Sequence, residues 1–162
     1  ILLDRYDDAN ALEDGVWRFG LGLSAPGSID FFFNDGDSTA GYAGRFHAAA
    51  LGGTAPYDGE FHHYAAVVDL SAPSAVDKVR LYLDGHLIPT HIIHEDGASD
   101  YNRFRTDSDL PILAGARRSS QAGTEDVIPG RMDEVRISAG VLAPEQFLIG
   151  PEITAVFQWS LY

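Results

Sequence analysis

The chain has 162 residues, 45% apolar and 22% charged, enough for one domain with a real core and too few for two comfortable ones. Its net charge is -13, with Lys78 the single lysine among eleven basic residues, a field that opposes phosphate backbones and anionic lipid and so argues against nucleic-acid partners. No run reaches the roughly 18 to 20 apolar residues of a membrane helix, and the absence of cysteine excludes disulfide frameworks, thiolate metal sites and cysteine nucleophiles.

Taken in order, short β-type runs alternate with turn clusters. "ILLDRYDD" reads as the middle of a strand and no basic-then-apolar leader precedes it, so the chain is expected to be a domain excerpt or a mature piece. Strand patterns follow at Gly15–Ser24, Ser28–Asn34, Tyr42–Leu51, Glu60–Leu70 and Lys78–Asp84. Val79, Leu81 and Leu83 share one face of the last, with Arg80, Tyr82 and Asp84 on the other. Asp84 and Gly85 suit a type I′ hairpin turn, with "HLIPTHII" returning as the next strand. A polar loop spans His94–Asp109, and "LPILAGA" and "GRMDEVRIS" read as further strands. "APEQFL", Ala143–Leu148, is the one helical stretch, with Pro144 at a first helical position. In "ITAVFQWSLY", Ile153, Ala155, Phe157, Trp159 and Leu161 alternate onto one side. That pattern suits either this domain's own last strand or a strand docking on another copy. Short strands with turn signals every 8 to 12 residues predict an all-β sandwich or barrel.

Three segments in sequence resemble the laminin-G-like branch of the concanavalin A-like lectin/glucanase jelly rolls. "GEFHHYAAVVDL" is similar to its W-H-H-V-A-V-T-x-D strand, and "KVRLYLDGHLI" to its Y-x-D-G hairpin. "LPILAGARR…PGRMDEVRISAGVLAPEQF" is similar to its closing L-x-I-G…G-x-I-D-E-V-R-I-Y…A-L-S-P-x-E-I. Phe61 replaces the usual tryptophan, Met132 an aliphatic residue and Ser138 an aromatic one. The resemblance implies one jelly-roll domain over 1–162: a β-sandwich of two antiparallel sheets with one short helix near the C-terminus. By the same resemblance, the family's opening strands are expected to be missing from this chain.

Candidate sites are few. Strand alternation puts His62 and His63 on opposite faces, so they cannot jointly grip one metal and read as frame. Asp133 and Glu134 likewise alternate, and the resemblance implies a structural acceptor at Asp133. Asn34, Asp35 and Asp37 around Gly36, with Asp133, are the candidate calcium ligands, because calcium takes six to eight oxygens; a plain turn is the alternative. Tyr101, Arg103, Phe104 and Arg105 are the candidate ligand-binding residues, offering planar aromatics and arginine forks on a long loop. The paired carboxylates of the glucanase relatives, E-x-D-x-x-E, do not occur at Glu125 or Asp133, which argues against glycoside hydrolysis.

The expected function is therefore a non-catalytic extracellular or cell-surface recognition and adhesion module, binding glycan or protein through rim loops. One alternative is a self-assembling filament or surface-layer subunit that exchanges β-strands between copies. The other is a polysaccharide-degrading enzyme of the same fold.

Overall fold

The computed structural model of the chain describes residues 2–5, 17–21, 27–34, 45–50, 56, 58–96, 112–119, 123–125, 127–128, 130–147 and 157–161. Among them are thirteen strands: β1 (Leu3–Arg5), β2 (Trp17–Leu21), β3 (Ile29–Asn34), β4 (Arg45–Ala50), β5 (Tyr64–Val68), β6 (Val79–Leu83), β7 (His86–Ile88), β8 (Thr90–Asp96), β9 (Leu113–Ala114), β10 (Arg117–Ser119), β11 (Gly123–Glu125), β12 (Val135–Ala139) and β13 (Phe157–Leu161). A four-residue helix, α1 (Ala75–Lys78), precedes β6. The segment expected to be helical near the C-terminus is a 3-10 turn at Pro144–Gln146.

Two sheets form the sandwich. One has six strands in the order β8-β4-β3-β2-β1-β9, all antiparallel. The other has five, β12-β13-β5-β6-β7, and a small β10-β11 hairpin stands apart. Period-two alternation aims Trp17, Phe19, Ile29, Phe31 and Phe33 of the first sheet at Tyr64, Ala66, Val68, Val79 and Leu81 of the second. Bulk on one sheet meets small residues opposite or beside it. Phe31 pairs with Ala48 in the adjacent strand, and its ring lies edge-on to Phe19 at 6.3 Å.

Several sequence expectations change in detail. The returning strand "HLIPTHII" is two strands in two sheets: β7 pairs with β6, whereas β8 pairs with β4. The break falls at Pro89, whose missing N–H cannot extend a ladder. The Asp84–Gly85 turn forms as expected, with φ of 50° and 77° in the type I′ region. The predicted strand Glu60–Leu70 begins only at Tyr64, so neither His62 nor His63 lies in it. In the five-stranded sheet β13 runs parallel to both neighbours, β12 and β5, while the other pairs are antiparallel. Joining parallel neighbours requires a crossover, and residues 140–156 supply it.

Candidate functional site

The antiparallel order of the six-stranded sheet fixes where its connections lie. β1, β3 and β8 end, and β2, β4 and β9 begin, at the same end of the sheet. The connections 6–16, 35–44 and 97–112 all depart from that end. The last joins β8 to β9, the two opposite edges of the sheet. Asp35 and Asp37 fall in the second connection, and Tyr101, Arg103, Phe104 and Arg105 in the third; all six lie outside the described residues. Asn34 closes β3 at this end.

Asp133 is placed differently. It precedes β12, the edge strand of the five-stranded sheet, and its Oδ1 accepts the Glu134 N–H at 2.9 Å. Glu134 has φ 45°, so the two residues form a bend and not the alternating strand read from sequence. The acceptor role implied by the resemblance is thus met locally. Among the described residues, no three His, Asp or Glu side chains converge as a metal site.

The histidine pair is a structural corner with two opposite halves. Asp58, whose Oδ1 accepts the Glu60 N–H at 3.0 Å, and Asp84 of the hairpin turn flank His62. Its Nδ1 lies 2.8 Å from Asp84 Oδ2 and its Nε2 3.1 Å from Asp58 Oδ2. The Asp84 hydrogen bond, reinforced by Asp58, raises the His62 pKa above the usual imidazole value. The backbone bond from Glu60, then His62 itself, holds the Asp58 carboxyl below its usual range. The other Asp84 oxygen accepts the His63 N–H at 2.9 Å, and the Asp84 N–H donates to the His63 carbonyl at 2.8 Å. One aspartate therefore shapes the turn, ties it to the start of β5 and faces His62.

His63 turns the other way. Its ring is buried, both ring nitrogens are without a hydrogen-bond partner among the described residues, and it stacks at a tilt against Phe147 with centroids 5.5 Å apart. Burial lowers its pKa, and Asp84 opposes that only in part. The two histidines do face apart, as expected. The cause is not strand alternation but their separate partners.

One feature escaped sequence reasoning. Backbone register in the six-stranded sheet sets Arg18, Phe32, His47 and His94 opposite one another across β2, β3, β4 and β8. The next row is Gly20, Asp30, Ala49 and His91. Asp30 is fully buried there and accepts a short hydrogen bond from Ser28 Oγ. Such rows exist only once register is set, so no linear motif marks them.

Two facing β-sheets around an aromatic core match the architecture of a concanavalin A-like sandwich. The chain belongs to the laminin G-like family of the concanavalin A-like lectin/glucanases superfamily, whose model matches residues 3–147. No curated protein and no solved structure matches it. A domain of this family fits a carbohydrate- or protein-binding module, although the superfamily also contains glycosidases. Among the described residues no helix is long and apolar enough to cross a membrane.

Proposed function

We propose that the chain is a non-catalytic extracellular recognition module that binds glycan or protein at one end of the six-stranded sheet. The observation that carries this reading is the departure of three long connections from that single end, on a rigid antiparallel frame. Scaffolded loops of this kind are where binding residues concentrate. The candidate aromatic and arginine residues, Tyr101, Arg103, Phe104 and Arg105, belong to one of these connections. The candidate calcium ligands Asn34, Asp35 and Asp37 sit at the end of β3 and in another, while Asp133 lies on a different edge. A glycan array run with calcium and with chelator tests the reading. Binding that is lost on Arg103→Ala or Phe104→Ala supports it, and an array blank under both conditions sinks the glycan half.

Two observations favour a second reading, assembly through strands. β13 lies beyond the family-matched 3–147 yet fills an interior position of a sheet, so the slot between β5 and β12 takes a strand from outside the family segment. Val135 and Ile137 on edge strand β12 share the core-facing side with Tyr64 and Ala66 but are 44% and 40% exposed. Light scattering across a concentration series tests this. A monomer at every concentration removes it.

A further inference from the structure

The outer face of the five-stranded sheet has a small core of its own. Ala65 and Val67 of β5 and Tyr82 of β6 are covered by Phe147, with Val141 and Leu142 beside it. These last three belong to one segment that leaves β12 at Gly140 and carries the 3-10 turn. The turn is closed internally: the Gln146 N–H donates to the Ala143 carbonyl at 2.9 Å and the Phe147 N–H to Pro144 at 3.1 Å. The segment is thus a preformed strap. Phe147 meets Tyr82 edge-on at 5.0 Å and His63 at 5.5 Å.

We propose that His63 is an acid-sensitive latch for the strap Val141–Phe147. A neutral imidazole lets Phe147 close over the sheet, and a proton on that ring drives the strap off, uncovering Ala65, Val67 and Tyr82. Among the described residues, the closed site offers the imidazolium no hydrogen-bond acceptor at either ring nitrogen. The pull of a cation toward the phenyl face is smaller than the hydration the ring would lose. Opening restores water to it. The surrounding charges do not reverse this balance. Asp84, in the β6–β7 turn, favours the cation, but its two oxygens already serve the His63 N–H and His62. Arg80 of β6 and Glu145 of the strap act on Tyr82 with opposite sign. His62, on the same segment, is held by Asp58 and Asp84.

Hydrogen exchange on the full chain, corrected for the intrinsic pH dependence, tests the latch. Opening of the strap measured at Phe147 is expected to rise about tenfold per pH unit below about 6.5, as one proton taken up on opening requires. Protection of Phe31 and Leu81 stays constant over that range. His63→Leu is expected to keep the strap closed at both ends of the range, while His62→Gln leaves the response intact. Ring titration by NMR in the unsubstituted chain needs no variant: the His63 ring and the Phe147 amide must shift together. The proposal is overturned if His63 titrates at the ordinary imidazole value while the Phe147 amide stays still. It is equally overturned if His63→Leu opens with acid as the parent does.

Discussion

The two faces of the five-stranded sheet solve the same burial problem with different depth. Inward, Tyr64, Ala66, Val68, Val79 and Leu81 meet a second sheet rich in phenylalanine, and every neighbour is locked by its own strand ladder. Outward, Ala65, Val67 and Tyr82 meet one strap, anchored by Phe147 and stacked on a histidine whose ring has no hydrogen-bond partner among the described residues. Both faces are buried. They differ in what opening requires: the inner face opens only with the whole fold, the outer one by lifting a single segment. Local stability is set by how many cooperative elements share a contact, not by burial alone.

Four substitutions sharpen or break that contrast. Phe31→Ala leaves a cavity between sheets, and urea melts should show a loss of about 3–5 kcal/mol. A much smaller loss would mean that the inner face collapses as readily as the outer. Phe147→Ala removes burial where solvent fills the gap, so the expected loss is about 1.5–3 kcal/mol, close to the transfer value alone. An effect as large as that of Phe31→Ala would make the strap part of the main cooperative unit. Gly85→Ala forces a Cβ into φ 77° in the turn that carries Asp84, at a cost of about 1–2 kcal/mol in thermal melts. Asp84→Asn keeps an acceptor for the His63 N–H but removes the charge facing His62. The His62 pKa, followed by NMR, should fall toward its ordinary value.

The pH dependence follows from the two histidines with opposite sign. His62 has a raised folded pKa, so its stabilisation is complete below the unfolded value of about 6.5 and fades as pH rises through the folded value. His63 has a lowered one. Below about 6.5 the unfolded chain takes a proton that the closed fold refuses, so stability falls with pH until the strap opens or the ring titrates. The two histidines' contribution to the parent's stability should therefore rise as pH falls toward about 6.5 and decline below it. Asp84→Asn should shrink the rise above about 6.5, because it removes the larger cause of the raised His62 pKa and leaves only Asp58, while the decline below about 6.5 remains. A denaturation series at several pH values, parent against variant, checks this.

Much of the sandwich was legible in the chain because its signals are local. The alternation of Trp17 and Phe19, of Phe31 and Phe33, and of Val79, Leu81 and Leu83 assigns core faces within single strands, and Asp84–Gly85 fixes a hairpin. Non-local choices were not legible. Pro89 reads as an interruption in one strand, and only pairing shows that it moves the chain between sheets. The apolar alternation of Phe157, Trp159 and Leu161 says that a strand forms, not that it runs parallel between β5 and β12. The β10–β11 hairpin, Arg117–Ser119 with Gly123–Glu125, and helix α1 carry too few apolar residues to announce themselves. At the histidine corner the motif was visible, but its logic was not. The hydrogen bonds of Asp58 and Asp84 bend the backbone before β5, where alternation had been extrapolated.

The position of β13 has a consequence for the order in which the molecule is built. β5 is made near residue 64 and β12 near residue 135, but the strand that joins them spans 157–161. Until those residues have left the ribosome, both neighbours carry an open row of backbone donors and acceptors. The six-stranded sheet needs nothing beyond Ala114 and can assemble first. Synthesis therefore passes through a half-finished sandwich, complete on one layer and open on the other. β13, made after both its neighbours, completes the sheet, a long-range closure of the kind that slows folding.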